Sequence, residues 1–294
     1  MTTTTTTTPR PTGHAHTAGS GVSFARVLRS EWIKLRSLRS TAWCFAVIVV
    51  LLIGFALLFG AFASGFEGAP ATDEQQQSLA VSVATIGVPF AQLVAAVLGA
   101  LVITGEYGTG MVRSTFAAVP RRTPALVAKV LLIGITTFVV SAVALAVALL
   151  VSTPLLSSSG VDTDLADGRI WLSMVGGAAT IGFIAMIAFG LGAIIRNGAG
   201  AIASAIGIVF VLPIIFSIGQ ALIAKSWIYS LFEFIPPQAA TRVYDYPVDG
   251  QSLTALPGLD GSLVLEPWQA LLVLVGWVVV LFAIALALVK RRDV

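Results

Sequence analysis

Six long apolar stretches divide the chain, and they predict membrane-spanning helices at about 42–64, 79–104, 125–151, 171–195, 199–223 and 268–289. Each stretch reaches the roughly 20 residues that a hydrocarbon core of about 30 Å requires. None has a charged residue near its middle. Lys129 lies about one turn into the third, where a lysine can extend its amine to the interface. The predicted fold class is therefore all-α, a polytopic membrane protein of six transmembrane helices preceded by an amphipathic interfacial helix.

The segment 23–39, ahead of the first span, has the pattern of that interfacial helix. Ser23 is a suitable N-cap. At about 100° per residue most of the apolar side chains fall within one arc and most of the cations lie outside it. The arc contains Phe24, Val27, Leu28, Trp32, Leu35 and Leu38. Such a helix lies along the membrane surface with its cations near anionic headgroups, so membrane lipids are expected partners.

Glu31 interrupts this apolar stripe, and two interpretations stay open. In the first, its carboxylate pairs with Lys34 one turn further on. In the second, the stripe packs on protein and Glu31 meets a cation from a neighbouring loop.

The loop 105–124 is far longer than a connection between neighbouring helices needs. Gly108 and Gly110 permit a sharp turn, and Thr109 can cap a short helix that runs to about Ala118. Pro120 ends that helix. Thr123-Pro124 then suits the start of the third span, as a cap followed by proline. The alternative is a charged loop that serves only the topology.

Composition and charge exclude a soluble globule and orient the spans. Only 11% of the residues are charged, against roughly 25% in soluble domains. The tails, the loops 105–124 and 196–198, and Lys129 together hold 14 of the 17 Lys and Arg but three of the 14 acids, a net +11 against −8 across the membrane. Basic loops are retained in the cytoplasm. Both termini are therefore expected in the cytoplasm of a multi-pass protein of the plasma membrane. The basic residues report this topology, and no nucleic-acid partner is expected.

Within the spans, small residues recur every four positions, at Ala188 and Gly192 and at Ala199, Ala203 and Gly207, a spacing that lets helices pack closely. Gln92 is expected to hydrogen-bond between helices, although it could instead line a pathway. Pro89 and Pro213 are expected to bend their spans.

The stretch 224–267 is expected to lie at the outer surface. Its aromatic residues suit a membrane–water interface, and Pro236-Pro237 should interrupt any helix there. Two interpretations of this stretch stay open: an interfacial hairpin and a substrate-recognition lid. The aromatic residues are Trp227, Tyr229, Phe232, Phe234, Tyr244 and Tyr246.

Catalytic motifs are missing from the sequence. No lysine follows a glycine, so the phosphate-binding loop GxxxxGK[ST] cannot occur, and any ATP must be bound by a separate chain. The predicted spans contain no Asp, Glu or His for a proton relay or a protease. The chain is expected to be neither an enzyme nor a holder of a cofactor or metal.

Three runs carry a family resemblance: EWIKLRSLRST, TGEYGTGMVRSTFAAVPRRTPALVAK and IIRNGAGAIASAIG. They resemble the permease subunits of type-2 ATP-binding cassette exporters, especially the actinobacterial-like kind found in high-GC genomes. The resemblance covers about residues 23–294, which it implies are one permease domain behind a disordered, Thr-rich tail at 1–22. The stretch 224–267 would cap the transport pathway.

The resemblance also implies how the chain meets a cassette ATPase subunit. Segment 23–39 would be the family's connecting helix, and the loop 105–124 would hold its coupling helix, which docks on the ATPase. Glu106 is expected to stiffen this coupling loop by pairing with Arg113 or Lys129. The residues expected to serve ATPase coupling are Glu106, Gly108, Thr109, Gly110, Arg113, Pro120, Arg121 and Arg122.

The function expected from the resemblance is ATP-driven export of a hydrophobic or amphipathic substrate. Six spans make half a transporter, so a second permease chain, identical or homologous, is an expected partner. Two alternatives stay open: a scaffold or sensor subunit that moves nothing, and a channel or uniporter that works without an ATPase.

Overall fold

The structure is a computed structural model that describes residues 23–62, 72–110, 122–223, 225–248 and 263–291. Within these ranges every regular element is helical. The helices are α1 Phe24–Ser37, α2 Arg39–Ala61, α3 Asp73–Thr85, α4 Val88–Thr109, α5 Arg122–Ser157, α6 Gly168–Ile195, α7 Gly198–Ile206, α8 Leu212–Ile223, α9 Ser226–Phe232, α10 Pro236–Tyr244 and α11 Pro267–Arg291.

Six helical segments are long and apolar enough to cross a membrane, which confirms the predicted fold class. They are Arg39–Ala61, Asp73–Thr109, Thr123–Ser157, Gly168–Ile195, Gly198–Ile223 and Pro267–Val289. The fourth is the most buried, and the fifth and sixth lie at the periphery. The end of the bundle that carries α1 is called the α1 end below, and the other is called the far end.

Two spans are interrupted next to their prolines, as the sequence predicted. The second span breaks between α3 and α4, where Pro89 occupies the first turn of α4. A Cβ added to Gly87 at this break would lie 2.8 Å from the carbonyl oxygen of Leu51, so the two backbones touch. The fifth span changes to a π-helical turn at Gly207–Val211, and α8 with Pro213 follows. A π-helical turn widens the helix and leaves its backbone hydrogen bonds less regular.

The parallel helices α4 and α6 form the centre of the bundle. Gln92, only 2% exposed, donates a hydrogen bond to Thr180 across this interface at 3.3 Å, as predicted. Ala188 is also buried there, and a Cβ on Gly192 would lie 2.5 Å from Ile103 Cγ2. Close packing of these two small residues is confirmed.

The small-residue stripe of the fifth span faces the other way. Ala199 and Ala203 are exposed, and a Cβ on Gly207 would meet nothing within 4 Å. Ala201 and Ala205 are the buried residues of α7. Ala199, Ala203 and Gly207 therefore make no close helix contact within this chain, because α7 turns the adjacent alanine pair towards α4 and α6, and close packing at these three residues stays a prediction.

The far end holds two short helices, α9 and α10, that the sequence did not show. Pro236 and Pro237 begin α10 where a helix was expected to be interrupted, since proline suits the first turn. The buried Glu233 carboxylate accepts two hydrogen bonds from the Arg242 guanidinium, at 2.7 and 2.9 Å, and so ties α10 to the end of α9.

Two of the outer aromatic residues are not at the surface. Tyr244 and Tyr246 are 7% and 6% exposed and pack into the main core. The Tyr246 hydroxyl donates to the Asp167 carboxylate at 2.6 Å, and this hydrogen bond lowers the pKa of Asp167. Burial and the same carboxylate raise the pKa of Tyr246 to about 12. Trp227 and Phe234 are 54% and 42% exposed, and their placement at a membrane–water interface stays a prediction.

Candidate coupling site

Helix α1 lies against the start of α5 with one edge of its apolar stripe. The Ser23 side chain caps the helix by accepting from the Arg26 amide at 3.4 Å, as predicted. Val27, Glu31 and Leu35 are buried. Val27 packs with Ala125 and Ala128 of α5.

The other edge of the stripe stays outside the protein. Phe24, Trp32 and Leu38 are 45–46% exposed, and Leu28 is half-buried. The helix ends at Ser37 and Leu38 is extended, so α1 is slightly shorter than the predicted segment 23–39. One edge of the apolar stripe therefore packs on α5, and the other edge is exposed.

Glu31 confirms the first interpretation of its position and part of the second. It accepts a hydrogen bond from Lys34 Nζ at 2.9 Å within α1, and its second oxygen accepts one from Lys129 of α5. Its face packs on protein as the second interpretation required. The cation comes from the first turns of a span, however, and not from a loop.

Lys129 corrects the prediction of an amine that extends to the interface. Its side chain is 5% exposed, and its ammonium group donates to both Glu31 and Glu106. Burying a charge is unfavourable unless the charge is paired and hydrogen-bonded. The two carboxylates meet this condition for the Lys129 ammonium group, so it can stay buried instead of reaching interfacial water. The pairing of Glu106 with Lys129 is one of the two that the sequence suggested.

Lys34 completes a cluster of two acids and two lysines, called the charge cluster below. Its Nζ lies 3.6 Å from Glu106 Oε1 as well as beside Glu31. Partial burial opposes its charging, but the hydrogen bonds and attraction to Glu31 and Glu106 together outweigh that effect and raise the pKa of Lys34. The cluster is formally neutral, and it joins α1, the end of α4 and the start of α5.

The first residues of the predicted loop 105–124 belong to a helix. Helix α4 continues to Thr109, so Glu106 is a helical residue and is only 9% exposed. This overturns the expectation that no span holds a buried acid, although Glu106 lies at the end of its helix and not at mid-membrane depth. The extension is possible because the end of the helix is held by the charge cluster.

Thr109 and Gly110 end α4. Thr109 donates its hydroxyl back to the Gly105 carbonyl oxygen at 2.9 Å. The short helix that it was expected to cap falls outside the described residues, so its capping role stays a prediction. Gly110 is the C-cap with φ of 70°, a left-handed conformation that favours glycine. Gly108 is exposed on the last turn, and a Cβ there would meet nothing within 4 Å.

The rest of the expected coupling residues fall mainly outside the described residues. Arg113, Pro120 and Arg121 lie in 111–121, which the structure does not describe. Arg122 begins α5, one residue before the expected cap Thr123, and its side chain is likewise not described. Their role in coupling stays a prediction.

Sequence reasoning missed the contact that Arg196 makes with Tyr107. It is the C-cap of α6, with φ of 59°, and the one residue other than glycine in the described chain with a positive φ. Its guanidinium carbon lies 5.3 Å from the ring centroid of Tyr107 on α4, within cation–π distance. The fourth span therefore also touches the end of α4. The sequence signal that could have indicated this contact was an arginine in the three-residue turn 196–198, which was predicted to lie on the same side of the membrane as the loop 105–124.

The structure thus combines six helices long and apolar enough to cross a membrane with a charge cluster that joins α1 to the second and third of them. The family model described as ABC-2 family transporter protein matches residues 25–294, and the chain belongs to that family. It is a permease component of an ABC transporter, and such permeases work with an ATPase subunit. No curated protein matches the chain significantly.

Proposed function

We propose that this permease exports a hydrophobic or amphipathic substrate and that its ATPase docks at the α1 end, on the exposed last turn of α4 and the segment 110–122. The charge cluster carries the proposal. The helices on either side of the docking segment, α4 and α5, are joined by the ion pair of Glu106 with Lys129. Helix α1 is joined to them by the ion pair of Glu31 with Lys129. Breaking a buried pair costs about 3–5 kcal/mol, so the three helices would move as one body when the loop is pushed.

The charge distribution supports an α1 end in the cytoplasm. In the predicted topology this side has a net charge of +11, against −8 on the other, and basic segments are retained inside. The termini would then both be cytoplasmic, in the plasma membrane, with the acidic far end outside. A second permease chain, identical or homologous, would complete the pathway.

A cavity of about 310 Å³ towards the far end supports an apolar substrate. It lies between the two interrupted spans, with Pro89 on one side and Phe210 of the π-helical turn on the other, and Tyr244 of α10 also lines it. Gln92 and Thr241 are among its few polar groups. Helices interrupted at this depth can rearrange at low cost, which suits a site that opens alternately to two sides.

The orientation can be tested with one matched pair of positions. Gly108 at the α1 end and Gly168 at the far end are both exposed, and a Cβ at either meets nothing within 4 Å. With the single cysteine changed by Cys44→Ser, Gly168→Cys should react in intact cells with a membrane-impermeant maleimide. Gly108→Cys should react only after permeabilisation. Reaction of Gly108→Cys in intact cells would exclude ATPase docking at the α1 end.

The same pair tests docking. With the chain's own cassette ATPase in proteoliposomes, Gly108→Trp should lower the permease-dependent rate of ATP hydrolysis by about tenfold, since about 1.4 kcal/mol of lost docking energy suffices. Gly168→Trp is the matched control and should leave the rate unchanged. Equal rates in both variants would reject this docking surface. Substrate flux in vesicles without any ATPase would instead support a channel, and permease-dependent hydrolysis with no flux would support a scaffold.

A further inference from the structure

A second cavity, of about 500 Å³, opens at the α1 end between α1, α2 and α5. Its walls are almost entirely apolar, and they come from Trp32 and Leu35 of α1, Phe45 of α2, and Leu132 and Val139 of α5. This volume is within the range of ligand-binding cavities. It is separate from the cavity at the far end, and nothing in the proposed transport step uses it.

The depth of this cavity matches one leaflet of a bilayer. Its lining on α5 runs from Leu132 to Val140, which is about 12 Å of helix at 1.5 Å per residue. Half of a 30 Å hydrocarbon core is about 15 Å. The cavity also faces outward, because Trp32, Ile135 and Val139 on its rim are 45%, 59% and 50% exposed. An acyl chain from the surrounding leaflet can therefore enter sideways.

A single cation lines this cavity. Arg36, at the end of α1, is exposed, and among the described residues no carboxylate lies within ion-pair distance of it. The nearby Lys34 and Lys129 are instead neutralised by Glu31 and Glu106. Arg39, two residues outside α1, is a second exposed cation. A guanidinium at the mouth of an apolar cavity is complementary to a phosphate attached to an acyl chain.

We propose that this cavity binds an anionic glycerophospholipid, with one acyl chain between α1, α2 and α5 and its phosphate on Arg36. The lipid would fill the space between the exposed edge of α1 and the first and third spans, and so hold α1 against the bundle from the side opposite the charge cluster. This inference needs α1 to lie at a membrane surface, and it does not depend on ATP or on the direction of transport.

Native mass spectrometry of the purified full-length chain tests the proposal, with phosphatidylglycerol and phosphatidylcholine of the same acyl chains as probes. Phosphatidylglycerol should bind about fivefold more tightly, from the roughly 1 kcal/mol that one arginine contributes towards an anionic headgroup. Arg36→Gln should remove that preference. Arg29→Gln is the matched control, because Arg29 lies two turns earlier on the same face of α1, is exposed, and does not line the cavity.

A second pair of variants tests the acyl chain. Val139→Trp should fill the cavity and weaken binding of both lipids, whereas Val143→Trp, one turn further along α5, 62% exposed and outside the lining, should not. Equal binding of the two lipids by the unaltered chain would overturn the proposal, and so would a preference that survives in Arg36→Gln. If Val139→Trp leaves phosphatidylglycerol binding intact but lowers substrate-stimulated ATP hydrolysis, the cavity belongs to the substrate and the proposal fails.

Discussion

Lys129→Met is expected to destabilise the permease by about 3–5 kcal/mol, the cost of removing one partner from a buried ion pair. The substitution keeps an unbranched side chain that is one atom shorter, but it leaves Glu31 and Glu106 facing each other at 5% and 9% exposure. Lys34 reaches both acids but is itself partly exposed, so it neutralises only some of this charge. The measurement is the midpoint of thermal unfolding in detergent, monitored as the fraction of protein that stays monodisperse.

Lys34→Met provides the control, because it removes a lysine from the same charge cluster. Its side chain is 31% exposed, and partly exposed pairs contribute about 1 kcal/mol or less. Adding Glu106→Gln to Lys129→Met should recover part of the loss, since one unpaired charge disappears. Equal unfolding midpoints for the two lysine variants would show that burial of the charge cluster does not decide its strength.

The fold could be predicted from the sequence because the bilayer imposes it locally. A span needs about 20 apolar residues whatever its neighbours are, so each of the six could be found without knowing the others. The interruptions were also local signals, since Pro89 and Pro213 mark them. The short helices at the far end were missed because α9 and α10 are held by contacts such as Glu233 with Arg242, which no spacing rule predicts.

The coupling site was only partly predictable, for the same reason. The amphipathic pattern of α1 located Glu31, and the resemblance pointed to Glu106. The decisive partner, Lys129, is 98 residues away from Glu31 along the chain. A lysine near a span end is normally expected to reach water, and only the fold brings two acids to it. Arg196 and Tyr107, which also meet only in the fold, lie far apart along the chain as well.

Gly99→Ala is expected to separate α4 from α6 and to destabilise the bundle by about 3 kcal/mol or more, at the upper end of what overpacking costs. A Cβ on Gly99 would lie 2.0 Å from the carbonyl oxygen of Ala185 and 2.9 Å from its carbonyl carbon. Both are backbone atoms, so no side chain can rotate away and a whole helix must shift. The thermal unfolding midpoint in detergent measures the loss.

The other glycines set a graded comparison for this prediction. Gly192→Ala should cost less, because the nearest atom to its added Cβ, at 2.5 Å, is the Cγ2 methyl of the Ile103 side chain and not a backbone atom. Gly54→Ala should be neutral or stabilising, since a Cβ there meets nothing within 4 Å and alanine favours helix. If Gly99→Ala unfolds at the same temperature as Gly54→Ala, the two backbones do not touch. A displacement of α4 could then not pass to α6 through a rigid backbone contact at Gly99.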